Sequence, residues 1–185
     1  MKYRERIILK NGKNLLLRNA EASDGEAVLD NFNQTHAETD WLLTYPDENT
    51  FDVEKESRFL ERKAASQNEI ELVAVMDGKV VGTAGISTLG TKYKVAHRAE
   101  FGVSILKEYW GLGIGRAMME ACIECAREAG YVQLELSVVA DNARAVSMYR
   151  KAGFVEYGRE SQGVQIKDIG LSRSGLDEIG AVGLV

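Results

Sequence analysis

The sequence predicts an α/β domain in which a mixed sheet is flanked by helices, and three observations carry that expectation. Ala99-Glu100-Phe101-Gly102-Val103-Ser104-Ile105 and the stretch from Val132 to Val138 alternate with a period of two, as strands do. Ile114, Met118, Cys122, Cys125 and Ala129 recur instead at helical spacing. Between that first strand and this helix lies Tyr109-Trp110-Gly111-Leu112-Gly113-Ile114-Gly115-Arg116, so the glycines sit where a strand turns into a helix.

In chain order, Leu15 to Arg18 reads as a first strand, and Ser23-Asp24-Gly25-Glu26 has the capping-box spacing that starts a helix through Ala27, Val28, Leu29 and Phe32. From Glu38 to Glu56 seven acids stand against one base, Lys55, with Trp41, Tyr45, Pro46 and Phe51 interleaved, which predicts a loop or broken helix. A helix from about Val53 to Ala65 follows, with Glu54 and Arg58 at the favourable i, i+4 spacing. Ile70 to Met76, Asp77-Gly78 and Lys79 to Ile86 form a strong hairpin signal, and polar residues 88–96 separate it from the strand that ends at the glycines. Beyond the glycine-led helix come the strand from Val132, a short helix Ala143 to Ala152 capped by Asp141-Asn142 and ended by Gly153, and a strand starting at Val155. The tail, residues 161–185, has five glycines and only the short run Val164-Gln165-Ile166, so it supplies no clear strand.

At 185 residues, 45% of them apolar and 28% charged, the chain predicts one domain, residues 1–185. A net charge of −5 speaks against nucleic acid and suits cationic substrates. Cys122 and Cys125 share one helix face, where a disulfide is disfavoured, and no further Cys or suitably spaced His completes a metal set. The expectation is two core thiols, no metal and a reducing compartment. Ile7-Ile8-Leu9 is too short for a signal-peptide core and no stretch approaches ~18 apolar residues, so a soluble cytoplasmic protein without a membrane partner is expected.

Glycines at alternate positions let a bulky ligand approach the N–H groups of Gly111 to Arg116, and at a helix start those groups favour a phosphate. A Walker loop would need Gly-Lys-Ser/Thr and a dinucleotide fold Gly-x-Gly-x-x-Gly, and neither spacing is present. Asn142 and Tyr149 follow on a short helix, nearly two turns apart, so both can project from one face. Singly they read as a cap and a core aromatic; together, after a phosphate cradle, they suggest a site.

These residues resemble the GNAT superfamily of acetyl-CoA-dependent N-acetyltransferases. Its Gln/Arg-x-x-Gly-x-Gly/Ala signature aligns with Trp110-Gly111-Leu112-Gly113-Ile114-Gly115, and its later segment with Asn142 through Tyr149 to Gly153-Phe154. The resemblance covers about residues 15–158, with Trp110 where Gln or Arg is usual and a tail that lacks the family's closing strand. It implies a single-domain, mostly antiparallel sheet, acetyl-CoA as cosubstrate, and pyrophosphate binding by Trp110, Gly111, Leu112, Gly113, Ile114, Gly115 and Arg116 with Asn142 nearby. Homodimers are frequent in that family.

An amine of pKa ~10.4 is only about one part in a thousand neutral near pH 7, so the site needs a proton acceptor. Glu100, on the strand leading to the glycines, is the candidate that the resemblance favours; a salt bridge to Arg98 is its structural alternative, and His97 an alternative base. The resemblance implies that N–H groups near Val103 and Ile105 polarise the thioester carbonyl if the strand splays from its neighbour, and that Tyr149 serves the leaving thiolate. The acidic and aromatic segment from Glu38 to Glu56 reads either as a solvated face or as the acceptor-binding wall, its carboxylates drawing in a cationic amine. A small amine is the favoured acceptor; a protein N-terminus or lysine, or a non-catalytic CoA sensor, are the rivals.

Overall fold

Asp77 and Gly78 both adopt positive φ, 49° and 81°, the mirror-image turn whose twist matches a hairpin, and they join β3 (Ile70–Met76) to β4 (Lys79–Thr88) as predicted. The computed structural model describes residues 1–167 and 175–185. The other strands are β1 (Arg4–Ile8), β2 (Asn14–Asn19), β5 (Arg98–Ile105), β6 (Gln133–Val139), β7 (Val155–Gln165) and β8 (Gly175–Leu184). They form one eight-stranded sheet in the order β1-β2-β3-β4-β5-β6-β8-β7, antiparallel throughout except where β6 runs parallel to β5.

Helices α1 (Gly25–Ala37) and α2 (Val53–Ala65) cover one face, and α3 (Ile114–Glu128) the other, with α4 (Ala143–Lys151) beside the end of β6. The period of two sorts β3 between them: Ile70, Leu72 and Ala74 meet Met118, Cys122 and Cys125, while Val73 joins Val28 and Leu60. Cys122 and Cys125 are buried free thiols whose burial pushes Cys125 up to about 11, as befits core residues. Among the described residues no helix is long and apolar enough to cross a membrane.

Three expectations need correction. The first strand is β1, which pairs with β2 from Arg4↔Arg18 to Ile8↔Asn14. Its charged Arg4-Glu5-Arg6 hides the alternation, whereas Asn11-Gly12, with Gly12 at φ 78°, is an ordinary turn signal that the sequence reading passed over. The capping interaction before α1 starts two residues earlier than Ser23, at Glu21: Asp24 accepts the Glu21 N–H (2.8 Å) and hydrogen bonds from both Nη groups of Arg18 (2.6 and 2.8 Å). Finally, the tail does close the sheet, because β8 inserts between β6 and β7. Residues 168–174 of that tail lie outside the described residues.

The glycines that argued against β8 are covered by neighbouring rings. A Cβ on Gly183 would stand 3.3 Å from the buried Phe154 ring, and one on Gly180 would run into Tyr157. Gly158 of β7, by contrast, has nothing within 4 Å of such a Cβ. Gly183→Val is therefore expected to cost ~1–3 kcal/mol in urea denaturation, while Gly158→Val stays near neutral. Equal effects of the two would contradict the packing of β8.

Candidate active site

The site is built on one side of β5. The Leu106 N–H donates to Val81 (3.0 Å) and the Leu89 N–H to Arg98 (3.2 Å), and the β4–β5 register between them is unbroken. The antiparallel alternation then turns Gly102 and Ser104 toward β4, and the N–H groups of Val103 and Ile105 the other way. On that other side β6 pairs with β5 only from Arg98↔Gln133 to Glu100↔Glu135. Beyond Glu100 the strands part, so the Val103 and Ile105 N–H groups face a gap and have no acceptor among the described residues.

A cleft of about 300 Å3 opens on this gap from the α3 side, lined by Ile105, Trp110, Gly111, Gly113 and the first residues of α3. Gly111 and Gly113 hold φ of 82° and 92°, a conformation that side chains resist, and Gly113 caps α3. Gly115 serves differently: its Cβ would stand 3.2 Å from Ile105 Cδ1 and 3.5 Å from Met148 Sδ. No N–H from Gly111 to Arg116 has an acceptor among the described residues, which leaves a ring of donors at a helix start. Leu112 turns its side chain into the core and offers only its backbone. Arg116 lines the cleft and pairs with Glu120 at 2.8 Å.

Trp110 braces the loop. Its indole N–H donates to the Ile105 carbonyl (2.7 Å), and its ring stacks on Trp41 with centroids 5.5 Å apart. The Arg144 guanidinium lies 5.4 Å from the same ring and also lines the cleft. Sequence reasoning missed Arg144, although a base two residues after the α4 cap is a usable signal for an anion site.

A second cleft, about 410 Å3, meets the first at the gap from the α1 side; Trp41, Leu42, Val103, Ser104, Asn142 and Tyr149 line both. Asn142 caps α4 by accepting the Ala145 N–H at 3.2 Å. Tyr149 is buried edge-on to Phe101, centroids 6.2 Å apart, and burial pushes its phenol up to about 12. Its hydroxyl has no hydrogen-bond partner among the described residues.

Glu100 lines the second cleft and has no ion-pair or hydrogen-bond partner among the described residues. Its expected rival partner, Arg98, is engaged by Glu135 instead, through a bidentate contact whose Nη2–Oε2 arm is 2.8 Å. His97 sits in the turn before β5, at the end remote from the gap, and lines neither cleft. The acidic segment also divides: Trp41, Leu42 and Leu43 wall the second cleft, but its carboxylates do not. Asp47 and Glu48 face Lys167 (2.9 and 3.9 Å), and Glu38 accepts the Lys107 N–H at 2.7 Å. They tie loops together, which corrects their expected part in drawing in the acceptor.

Glu71 was not singled out from the sequence. It lines the second cleft from β3, and burial pushes its carboxyl up to about 7, with Lys63 opposing and Glu56 adding to the rise. An acid inside an otherwise apolar strand, Ile-Glu-Leu-Val-Ala-Val-Met, was the available signal.

Comparisons with known proteins bear on the family of this chain. The model of the acetyltransferase (GNAT) family matches residues 34–154, more than half of the chain. The chain belongs to the GNAT acetyltransferase family. It is 32% identical over 143 residues to the L-amino acid N-acetyltransferase AaaT of Escherichia coli strain K12, covering 76% of this chain and 82% of that one. Its fold superposes on an acetyltransferase of the GNAT family from Streptococcus pneumoniae with a TM-score of 0.86 at 31% identity, covering 92% of this chain and 99% of that one. It also superposes on yncA of Salmonella typhimurium, solved with its cofactor acetyl-CoA, with a TM-score of 0.79 at 20% identity over 92% of this chain and 94% of that one. This protein is thus an N-acetyltransferase with acetyl-CoA as cosubstrate.

The raised Glu71 carboxyl has a consequence for stability. The folded state holds this proton more tightly than the unfolded chain, so stability is lost as pH rises from the unfolded value, 4.5, through about 7. Glu71→Gln removes that loss. At pH 8 the variant is expected to be more stable than the wild type, by up to ~3 kcal/mol, and equal to it at pH 4. A variant less stable at pH 8 would contradict the cause given for the shift.

Proposed function

We propose that this N-acetyltransferase acts on a small amine that arrives as a cation, and that the gap beside β5 is where acetyl group and amine meet. One observation carries the reading. The gap joins a cleft floored by helix-start N–H donors to a second cleft of small-molecule size that holds the unpaired carboxylate of Glu100. That the relative from Escherichia coli is named an L-amino acid N-acetyltransferase supports a small acceptor.

Acetyl-CoA, when bound, supplies an activated acetyl thioester. The N–H groups of Gly111 to Arg116, with Asn142 and Arg144 alongside, hold its phosphate-bearing part on the α3 side. Val103 and Ile105 direct their N–H groups at the position of the carbonyl oxygen, where they stabilise developing negative charge. On the other side Glu100 takes up the proton that the ammonium must lose before its nitrogen attacks. Tyr149 stands between the clefts. With its phenol near 12 and a thiol reference of ~8.5, full proton transfer to a thiolate is uphill by about 3.5 units, or ~5 kcal/mol. Tyr149 therefore donates a hydrogen bond to the leaving sulfur and keeps its own proton, while the thiolate takes up the proton that the new amide nitrogen releases, directly or through solvent. The two free core thiols suit a cytoplasmic setting.

Assays of CoA thiol release over small amines and over peptides with free N-termini test the acceptor class. Turnover of small cationic amines is expected; turnover confined to peptides would contradict it. Tyr149→Phe should lower kcat by ~10-fold or more with acetyl-CoA affinity nearly unchanged, and Glu100→Gln should lower kcat by ~100-fold. Unaltered kcat in either variant removes that residue from its role.

A further inference from the structure

The second cleft has a floor from which side chains have been removed. In the sheet, Glu71 of β3 pairs with Gly85 of β4, and Gly85 with Gly102 of β5, so the three lie in one row on the face toward α1 and α2. A Cβ on Gly85 would stand 2.2 Å from Glu71 Oε2, so the carboxylate lies directly across that glycine. A Cβ on Gly102 would meet nothing within 4 Å, so the space beyond the carboxylate is open, one residue short of the gap at Val103. Phe32, Leu42 and Val138 supply apolar walls.

Glu71 has no hydrogen-bond or ion-pair partner among the described residues. The cation nearest in character, Lys63 of α2, is committed elsewhere: it donates to the Ile86 carbonyl (2.9 Å) and to Ser87 Oγ, and lies 4.0 Å from Glu69. Other charged or titratable groups facing the carboxylate are Glu56 on α2, Glu100 on β5 and His36 on α1. Burial lowers the His36 pKa and so disfavours a charged ring there. Lys63 acts on this carboxylate only from a distance, so among the described residues it has no cation in direct contact.

We propose that Glu71 is an acceptor-binding residue, its carboxylate across Gly85 forming, with the open surface of Gly102, the subsite for the acceptor's ammonium group. The inference rests on the reading that this cleft takes the amine, and it assigns recognition of the charge to Glu71 where Glu100 takes up the proton. It also gives the glycines at 85 and 102 a reason: side chains there would displace the carboxylate or fill the place of the ligand. Since the free carboxyl titrates near 7, binding of a fixed cation strengthens as pH rises through that value.

Benzyltrimethylammonium, which can be neither deprotonated nor acetylated, isolates the effect from catalysis. Calorimetry on the acetyl-CoA-loaded protein is expected to give a dissociation constant about tenfold lower at pH 8 than at pH 6, and Glu71→Gln should weaken binding and flatten that step. Glu71→Asp keeps the charge on a shorter arm; it should retain the step with affinity reduced severalfold, and so it decides the matter where the Gln variant does not fold. Absent binding to the wild type, or binding and pH dependence unchanged in the variants, would overturn the assignment. A wild type that binds the probe with the expected step yet releases no thiol with any small amine would overturn the small-amine reading and leave the subsite standing.

Discussion

An N–H group inside a protein needs an acceptor, and leaving one bare costs free energy that the rest of the fold must offset. β5 leaves Val103 and Ile105 bare because β6 parts from it after Glu100. Both clefts of the candidate site are arranged around that parting. The helix-start donors lie on one side of it, the second cleft on the other, and Tyr149 and Asn142 line both clefts. The gap is held open by packing: Trp110 anchors on the Ile105 carbonyl, Gly115 lets α3 come against Ile105, and Tyr149 sits edge-on to Phe101. The strand cannot close without displacing these contacts.

The same logic governs the carboxylates. Glu135 is neutralised by Arg98, and the acids of the loop before α2 are used on Lys167 and on backbone N–H groups. Glu71 and Glu100 have no hydrogen-bond or ion-pair partner among the described residues, and both line the second cleft. Arg98 therefore matters indirectly: bound to Glu135, it cannot quench Glu100 on its own strand.

Most of the strands, the four helices and the glycine-led turn could be read from the sequence because each has a local cause. Asp77-Gly78 needs only its own φ values, and Ile114 to Glu128 only a period of 3.6. What escaped is what depends on distant partners. β8 looks unfit for a strand until Phe154 and Tyr157 are laid over Gly183 and Gly180, and charged β1 is a strand only because β2 pairs with it. In the site, Glu100, Val103, Ile105, Asn142, Tyr149 and the glycines came within reach through local pattern and resemblance, and all of them line the clefts. Glu71 did not, because its meaning lies across two strands, in the glycines that face it. The acidic loop misled for the opposite reason: composition shows charge but not the lysine, residues away, that uses it.

The exposed N–H groups of β5 are the most direct point of test. Amide hydrogen exchange read residue by residue should find Val103 and Ile105 exchanging faster than Gly102 and Ser104, which face β4, and should find the first pair slowed when acetyl-CoA binds. Protection of Val103 and Ile105 in the free protein, or exchange indifferent to acetyl-CoA, would contradict the account of the gap.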